Sequence, residues 1–146
     1  MTTTQTDKTR LFKEMGGITE IKRVTKVFYD YIYDDPWLKL FFDGIPRDHI
    51  ESQQNFFMQA ALGGENKYGG KTPPSGHQHM NITEEIYQTR QSHLKQSFKD
   101  CNTNPKMAER WLELDEIFHN RIVKKSKDDC VMRYPAEGIR DFPKPA

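Results

Sequence analysis

Apolar residues recur every three or four positions along most of the chain, and this spacing predicts an all-α fold. The repeats predict four main helices, over residues 19–34, 48–62, 83–100 and 104–123. A short helical turn is expected at residues 37–42. No segment alternates apolar and polar residues for long enough to predict a strand.

Residue types that cap helices stand at three of the predicted helix starts. Thr19 is the expected N-cap of the first helix, and Asn104, followed by Pro105, is that of the last. Asp48, with Glu51 three residues later, predicts a capping box at the start of the second helix. These signals set the expected beginning of each helix.

The long loop between the second and third helices, residues 63–82, has an unusual composition. It holds five of the nine glycines, two adjacent prolines, and the histidines His77 and His79. We expect irregular structure there with one helical turn. A loop of this length inside a compact helical domain is typically functional.

The composition leaves a thin apolar core for a chain of 146 residues. Only 35% of the residues are hydrophobic, but aromatic residues reach 12%, and their side chains supply large buried areas. This combination argues against a disordered chain. It also indicates that something other than protein completes the core.

Charge and hydropathy exclude two classes of partner. The formal net charge of +1 is too balanced for a nucleic-acid or anionic-membrane ligand. Apolar runs such as Phe56-Phe57-Met58 are too short to cross a membrane, and the N-terminus lacks the apolar core of a secretory leader. Since Cys101 and Cys130 make at most one bridge, we expect a reduced, cytoplasmic protein.

Two polar side chains interrupt the apolar faces of their helices. At about 100° per residue, Gln54 falls among Ile50, Phe57 and Ala61, and Tyr29 lies at the margin of the first helix's apolar stripe. An unpaired buried polar group costs about 1–3 kcal/mol. Gln54 therefore either bonds a neighbour in an ordinary core or donates to a ligand. Tyr29 is either a half-buried surface residue or a donor pointing into a cavity.

The remaining candidate residues carry weaker signals. His77 and His79 form an H-x-H pair without a further ligand at zinc spacing, and a loop histidine is most often solvated. Arg90 lies on the apolar side of its helix, where it serves either an acidic group at a pocket rim or a snorkelling role. Neither a nucleophilic triad nor a phosphate-binding loop is present in the sequence.

Taken in order, these segments resemble the truncated haemoglobins, most closely their first group. The matching elements are Met15-Gly16-Gly17, Phe28-Tyr29, Asp34-Asp35, Leu40-Phe41-Phe42, Gln54 with Phe57, Ala61-Leu62-Gly63-Gly64, Tyr68-x-Gly70 and His77. The resemblance covers a domain of residues 10–123. A flexible N-terminus (residues 1–9) and a C-terminal tail (residues 124–146) are expected on either side of it.

The resemblance implies a two-over-two helical sandwich around haem b and assigns roles to individual residues. His77 corresponds to the proximal iron ligand, and Phe42 to the phenylalanine that packs on the haem face. Tyr29 and Gln54 correspond to the distal pair that donates hydrogen bonds to bound dioxygen. Further residues are expected to line the pocket: Ile50, Phe57, Tyr68, Ile82, Tyr87 and Leu94.

The chain departs from the family pattern on the distal side. Ile50 stands where the family often has the first distal polar residue, and Gln53 stands where some members have a ligating histidine or lysine. We therefore expect a ferric site that is open or holds water. A slip of one residue in the register would instead make His49 a distal candidate. His119 lies near a histidine that some relatives link to haem but does not align with it.

The implied function is binding of dioxygen, nitric oxide and carbon monoxide, with nitric oxide dioxygenase-type detoxification as the leading hypothesis. That chemistry requires an electron-donating reductase as a partner. The alternatives are non-catalytic oxygen storage or transport, a gas sensor, and a helical interaction module without a cofactor. We expect a monomer or weak dimer.

Overall fold

The computed structural model describes residues 3–145, and its secondary structure is helical. Its elements are α1 (Thr3–Glu14), α2 (Gly17–Asp34), a 3-10 helix (Leu38–Phe42), α3 (Arg47–Ala61), α4 (Pro73–His77), α5 (Glu84–Asp100), α6 (Pro105–Ile122) and a second 3-10 helix (Lys127–Asp129). Within residues 3–145, β pairing is limited to two isolated bridges, Met80 with Arg140 and Ile82 with Val123. The all-α prediction is confirmed.

Helix α2 lies at the centre of the fold. It packs against α3 on one side and α5 on another, while α6 packs against α4 and α5. Its inward face repeats every three or four residues, and Ile21, Val24, Phe28 and Ile32 are each at most 2% exposed. In the described part of the chain, no helix is long and apolar enough to cross a bilayer.

Helix α2 begins earlier than the sequence predicted, because glycine rather than Thr19 occupies its N-cap. Gly16 is the N-cap residue, with φ 116°, and the helix starts at Gly17. A Cβ on Gly16 would lie 2.7 Å from Cβ of Glu20. Only glycine suits this conformation and this approach, and Thr19 lies within the first turn instead.

The capping box predicted at the start of α3 is also wrong. Pro46 occupies the N-cap and no side chain caps the helix, which begins at Arg47. The Glu51 carboxylate accepts a hydrogen bond from Arg47 Nε at 2.8 Å, so it is not available to cap the backbone. At the start of α6 the prediction is confirmed, because the Asn104 side chain accepts from Lys106 N at 2.8 Å.

The termini show more structure than the sequence indicated. Helix α1 crosses the predicted boundary at residue 10, and Phe12 and Met15 at its end are 5% and 2% exposed. At the other end, residues expected as a tail pack on the domain. Trp37 Nε1 donates to the Phe142 carbonyl at 2.7 Å, and the Phe142 ring packs edge-on against Phe41.

Gly63, which follows α3, provides a test of this packing. Its φ is +105°, and a Cβ there would lie 2.9 Å from the Lys8 carbonyl oxygen of α1. We expect Gly63→Ala to lower the free energy of unfolding by about 1–3 kcal/mol, because the backbone would be strained and α1 displaced. Urea denaturation of the chain measures this. Gly138→Ala is the control, since nothing lies within 4 Å of its Cβ position. Equal losses in the two variants would contradict the prediction.

Candidate functional site

A cavity of about 750 Å³ lies between α2, α3, α5, α6 and the long loop. The structure places nine of the ten predicted site residues on its walls: Tyr29, Phe42, Ile50, Gln54, Phe57, Tyr68, His77, Ile82 and Tyr87. The tenth, Leu94, is 0% exposed and belongs to the protein core instead. Leu94 lies in the apolar stripe of α5, and a residue in that stripe can face either the protein core or a pocket. The sequence pattern therefore could not separate the two.

His77 is the last residue of the single-turn helix α4, and its ring is oriented by the backbone. Its Nδ1 lies 2.7 Å from the carbonyl oxygen of Pro73. Because a carbonyl only accepts, Nδ1 carries the proton and donates, which leaves Nε2 with its lone pair. Burial lowers the pKa of His77 to about 4, and the positive charges of Arg90 and Lys124 act in the same direction. The imidazole is therefore neutral, which is the form that binds a metal.

His79, the second histidine of the loop, also faces this cavity but is held differently. It is 2% exposed, and its Nε2 lies 3.8 Å from Glu137 Oε2. Its Nδ1 has no hydrogen-bond partner within residues 3–145. No group of three or more His, Cys, Asp or Glu side chains that could hold a metal ion occurs in the described residues. A zinc site at the two histidines would therefore lack further ligands.

Tyr29 presents a buried hydroxyl at the cavity. The side chain is 6% exposed, and its ring packs edge-on against Phe28 and Phe42, at 5.0 and 5.8 Å between centroids. Its hydroxyl makes no hydrogen bond to any of residues 3–145. Burial raises the pKa of Tyr29 well above its usual value, so the hydroxyl keeps its proton. Tyr29 is therefore a buried donor at the cavity and not a surface residue.

Gln54 lies on the same cavity, half-buried, in the middle of the inward face of α3. Its amide also makes no hydrogen bond within the described part of the chain. The structure thus lacks the protein partner that an ordinary core glutamine would have. Two unpaired donors, one hydroxyl and one amide, face one cavity.

Aromatic side chains supply much of the remaining wall. The Phe57 ring packs against Tyr68 at 5.3 Å and against Phe118 at 6.3 Å between centroids. Phe118, which lies in α6, was not among the predicted site residues. As with Leu94, periodicity marks an inward face without showing whether it meets protein or a cavity.

Arg90 and Asp115 form an ion pair at the cavity. Arg90 Nη1 lies 2.6 Å from Asp115 Oδ2, and the guanidinium lies 4.9 Å from the centroid of the Phe28 ring. Arg90 therefore serves an acidic group at the cavity, which was one of its two interpretations from the sequence, and this acidic group is Asp115 of the protein itself. Asp115 was missed, because nothing in the sequence shows which residue of α6 lies opposite Arg90.

His49 and His119 occupy different positions. His49 is exposed at the edge of the cavity, and its neighbours Ile50 and Gln53 also line it. His119 stacks on Tyr87, with centroids 4.0 Å apart, and its Nε2 lies 2.8 Å from Glu84 Oε1. His119 is not part of the cavity lining, which agrees with its poor alignment in the sequence.

The residues around the cavity fit a haem group. The donor set is a neutral imidazole with a free Nε2, and the surrounding walls are largely aliphatic and aromatic. A globin holds its iron through one such histidine. The thin apolar core predicted from the composition has the same explanation, since a large apolar cofactor would complete it.

Comparison with known proteins supports this interpretation. The family model described as bacterial-like globin matches residues 10–127, which is most of the chain. A group 1 truncated hemoglobin from Tetrahymena thermophila is 23% identical over 123 residues, covering 83% of this chain and 93% of that protein. One from Tetrahymena pyriformis is 33% identical over 72 residues, covering 49% of this chain and 60% of that protein.

The fold agrees with the family match. The crystal structure of the Fe(III) form of the Tetrahymena pyriformis truncated hemoglobin gives a TM-score of 0.70 at 24% identity, covering 78% of this chain and 97% of that one. The two-over-two globin fold expected from the sequence is confirmed. The chain belongs to the bacterial-like globin family and, within it, to the truncated globins, which are haem proteins that bind diatomic gases.

Proposed function

We propose that this globin uses haem b to bind dioxygen and to convert nitric oxide to nitrate, with Tyr29 and Gln54 as the residues that act on the bound gas. One observation carries the proposal: the protonated Tyr29 hydroxyl and the Gln54 amide face the same cavity without a hydrogen-bond partner among residues 3–145. An oxygen-storage protein needs only to retain dioxygen. The conversion of nitric oxide to nitrate also requires that dioxygen be held in position while nitric oxide reacts with it.

His77 is the residue proposed to hold the iron. Its protonated Nδ1 is tied to the Pro73 carbonyl, so Nε2 is the ligating atom and the ring cannot turn freely. Phe42, Phe57 and Tyr87 would enclose the porphyrin with aromatic surface. The remaining lining residues proposed for this role are Ile50, Tyr68 and Ile82. When bound, haem supplies reversible binding of a diatomic gas and one-electron redox chemistry.

Tyr29 and Gln54 are proposed to hold the gas by hydrogen bonding. Haem would supply the site for the gas, and both side chains could donate a hydrogen bond to a gas oxygen that carries partial negative charge. Fixed donors in a water-poor, aromatic pocket stabilise such charge more strongly than water does. Because neither donor has a hydrogen bond within the described part of the chain, no existing hydrogen bond has to be broken before the gas binds.

The proposed reaction combines nitric oxide with dioxygen to give nitrate, a net change for which haem would supply one electron while Tyr29 and Gln54 hold the gas. An electron-donating reductase would return that electron, and carbon monoxide would compete for the gas site. The same proposal places the protein in the cytoplasm as a monomer or weak dimer. Cys101 and Cys130 are both free thiols, which supports a reducing compartment.

Stopped-flow mixing of the oxygenated protein with nitric oxide tests the reaction. We expect rapid conversion to the ferric form with about one nitrate per haem, from the stoichiometry of the reaction. The carbon monoxide complex, which holds no dioxygen, is the control and should yield no nitrate. Slow conversion without nitrate would leave oxygen storage or gas sensing as the function.

A further inference from the structure

The backbone that follows His77 is held by the C-terminal segment, residues 124–145. Four consecutive carbonyl oxygens, from His77 to Met80, each accept a hydrogen bond from this segment. In the sequence the segment has the composition of a tail. In the structure it fixes the chain next to the candidate iron ligand.

Lys124 makes the first of these contacts directly with His77. Its Nζ donates to the His77 carbonyl at 3.0 Å and to the Met80 carbonyl at 2.8 Å, and also to Ile122 O at 2.7 Å. Its backbone N–H donates to Ile82 O at 2.8 Å. Hydrogen bonds from a charged donor are stronger than those between neutral groups, and here one side chain joins both ends of the turn after His77.

Backbone groups farther along the segment complete the set. Val131 N donates to the Gln78 carbonyl at 2.7 Å, and Arg140 N donates to the His79 carbonyl at 2.9 Å. Asn81 N in turn donates to Arg140 O at 2.8 Å. Each residue from 77 to 82 therefore bonds to the C-terminal segment through its backbone.

The C-terminal segment is itself fixed to the domain. Arg140 Nη1 donates to the carbonyls of Phe41 and Asp43, at 3.1 Å each, next to the proposed haem-packing residue Phe42. Glu137, 8% exposed, pairs with Arg133 and locks the turn between them. A fixed segment can hold the His77 backbone in place, whereas a mobile one could not.

The chain before His77 contrasts with the chain after it. Among the described residues, those from 65 to 72 form hydrogen bonds only within their own loop, as from Tyr68 N to Asn66 Oδ1, and nearly all are exposed. The family match ends at residue 127, so most of the C-terminal segment lies beyond it. Lys124 lies within the globin match, whereas the contacts of Val131 and Arg140 come from a part of this chain outside it.

We infer that the C-terminal segment positions His77 on the iron, with Lys124 as the principal positioning residue. The inference rests on the proposed role of His77 as the iron ligand. Fixing the backbone from residue 77 to 82 sets the height and tilt of the imidazole. The strength of the iron–histidine bond and the rate of haem loss then depend on a segment that bonds to the backbone of residues 77–82 and not to the imidazole of His77.

Two pairs of variants test the inference in the haem-loaded protein. Lys124→Met removes the ammonium donor, and Lys125→Met is its matched control at the next, exposed lysine. Val131→Pro removes the N–H that bonds to Gln78, and Val131→Ala keeps it. Val131 is 59% exposed and Cys130 before it is extended, which is the conformation that a residue preceding proline prefers.

The measurements are the iron–histidine stretching band in resonance Raman spectra of the ferrous form and the rate of haem transfer to excess apomyoglobin. We expect Lys124→Met and Val131→Pro to shift or broaden the band and to speed haem loss about tenfold or more, because the first loses three hydrogen bonds from a charged donor and the second loses one. Both controls should match the unaltered protein. In the apoprotein, amide exchange at residues 78–82 should quicken in the same two variants only.

An unchanged band and an unchanged rate of haem loss in both test variants would overturn the inference. A lowered melting temperature with an unchanged band would also overturn it, because that result indicates a merely structural role. The His77→Ala variant separates this failure from failure of the proposed function. If that variant kept the iron–histidine band, the ligand assignment itself would be wrong.

Discussion

Replacing His77 by alanine is expected to weaken haem retention by about a hundredfold or more. Loss of a partner that only orients a metal ligand already costs roughly 10- to 100-fold in affinity, so loss of the ligand itself should cost at least as much. The cavity walls would remain, and the variant should still take up some haem through apolar contact. The haem absorption band at about 400 nm, normally intense, should be weak and altered in shape in this variant. Haem transfer to apomyoglobin measures the loss of haem affinity.

Two other histidines of the same cavity are the controls. His49→Ala changes an exposed side chain at the edge, and His79→Ala changes a buried one two residues from His77. Among these three histidines and the described residues around them, His77 is the one whose Nδ1 is tied to a carbonyl, with Nε2 left free to bind iron. If His79→Ala lost haem while His77→Ala did not, the ligand would be His79. If His49→Ala changed the ferric spectrum, the register on α3 would need correction.

Replacing Tyr29 by phenylalanine is expected to speed dioxygen release about 10- to 100-fold. The change removes one hydroxyl and keeps the ring that packs against Phe28 and Phe42. Hydrogen bonds to a charged group contribute about 1.5–3 kcal/mol, and that contribution would be lost from the bound state alone. Gln54→Leu, which removes an amide of similar size, should act in the same direction.

Stopped-flow displacement of dioxygen by carbon monoxide measures both release rates. Tyr33→Phe is the control, because Tyr33 neighbours Tyr29 at 6.4 Å between centroids but lies outside the cavity lining. The double variant shows whether the two donors act together, since contributions from one hydrogen-bond network are not additive. Unchanged release from both single variants would remove Tyr29 and Gln54 from the gas site.

Different parts of the fold were predictable for different physical reasons. The main helices follow from the spacing of apolar residues, and α6 also from Asn104, whose side chain caps it as expected. The start of α2 was not predictable from a cap preference, because Gly16 fits there by its backbone conformation. The start of α3 was hidden because Glu51 pairs with Arg47 instead of the backbone.

The candidate site was partly predictable for a similar reason. A polar residue in an apolar stripe, such as Gln54, stands out from the local pattern alone. His77 gained its proposed role from the resemblance, because a histidine in a glycine-rich loop has no distinctive local signal. The pairing of Arg90 with Asp115, and the contacts of Lys124 with the His77 backbone, join residues far apart in sequence. No local pattern encodes such contacts.

The large cavity between the helices affects how much of this protein accumulates in a cell. Without porphyrin, those walls lose close-packed neighbours, and the folded state forfeits the dispersion contacts that a filled interior provides. Any molecule that binds only the folded chain stabilises it by an amount that grows with the logarithm of its free concentration relative to the dissociation constant. Proteolysis in the cell acts on unfolded chains. Porphyrin supply would therefore set the steady-state abundance of this protein as well as its colour.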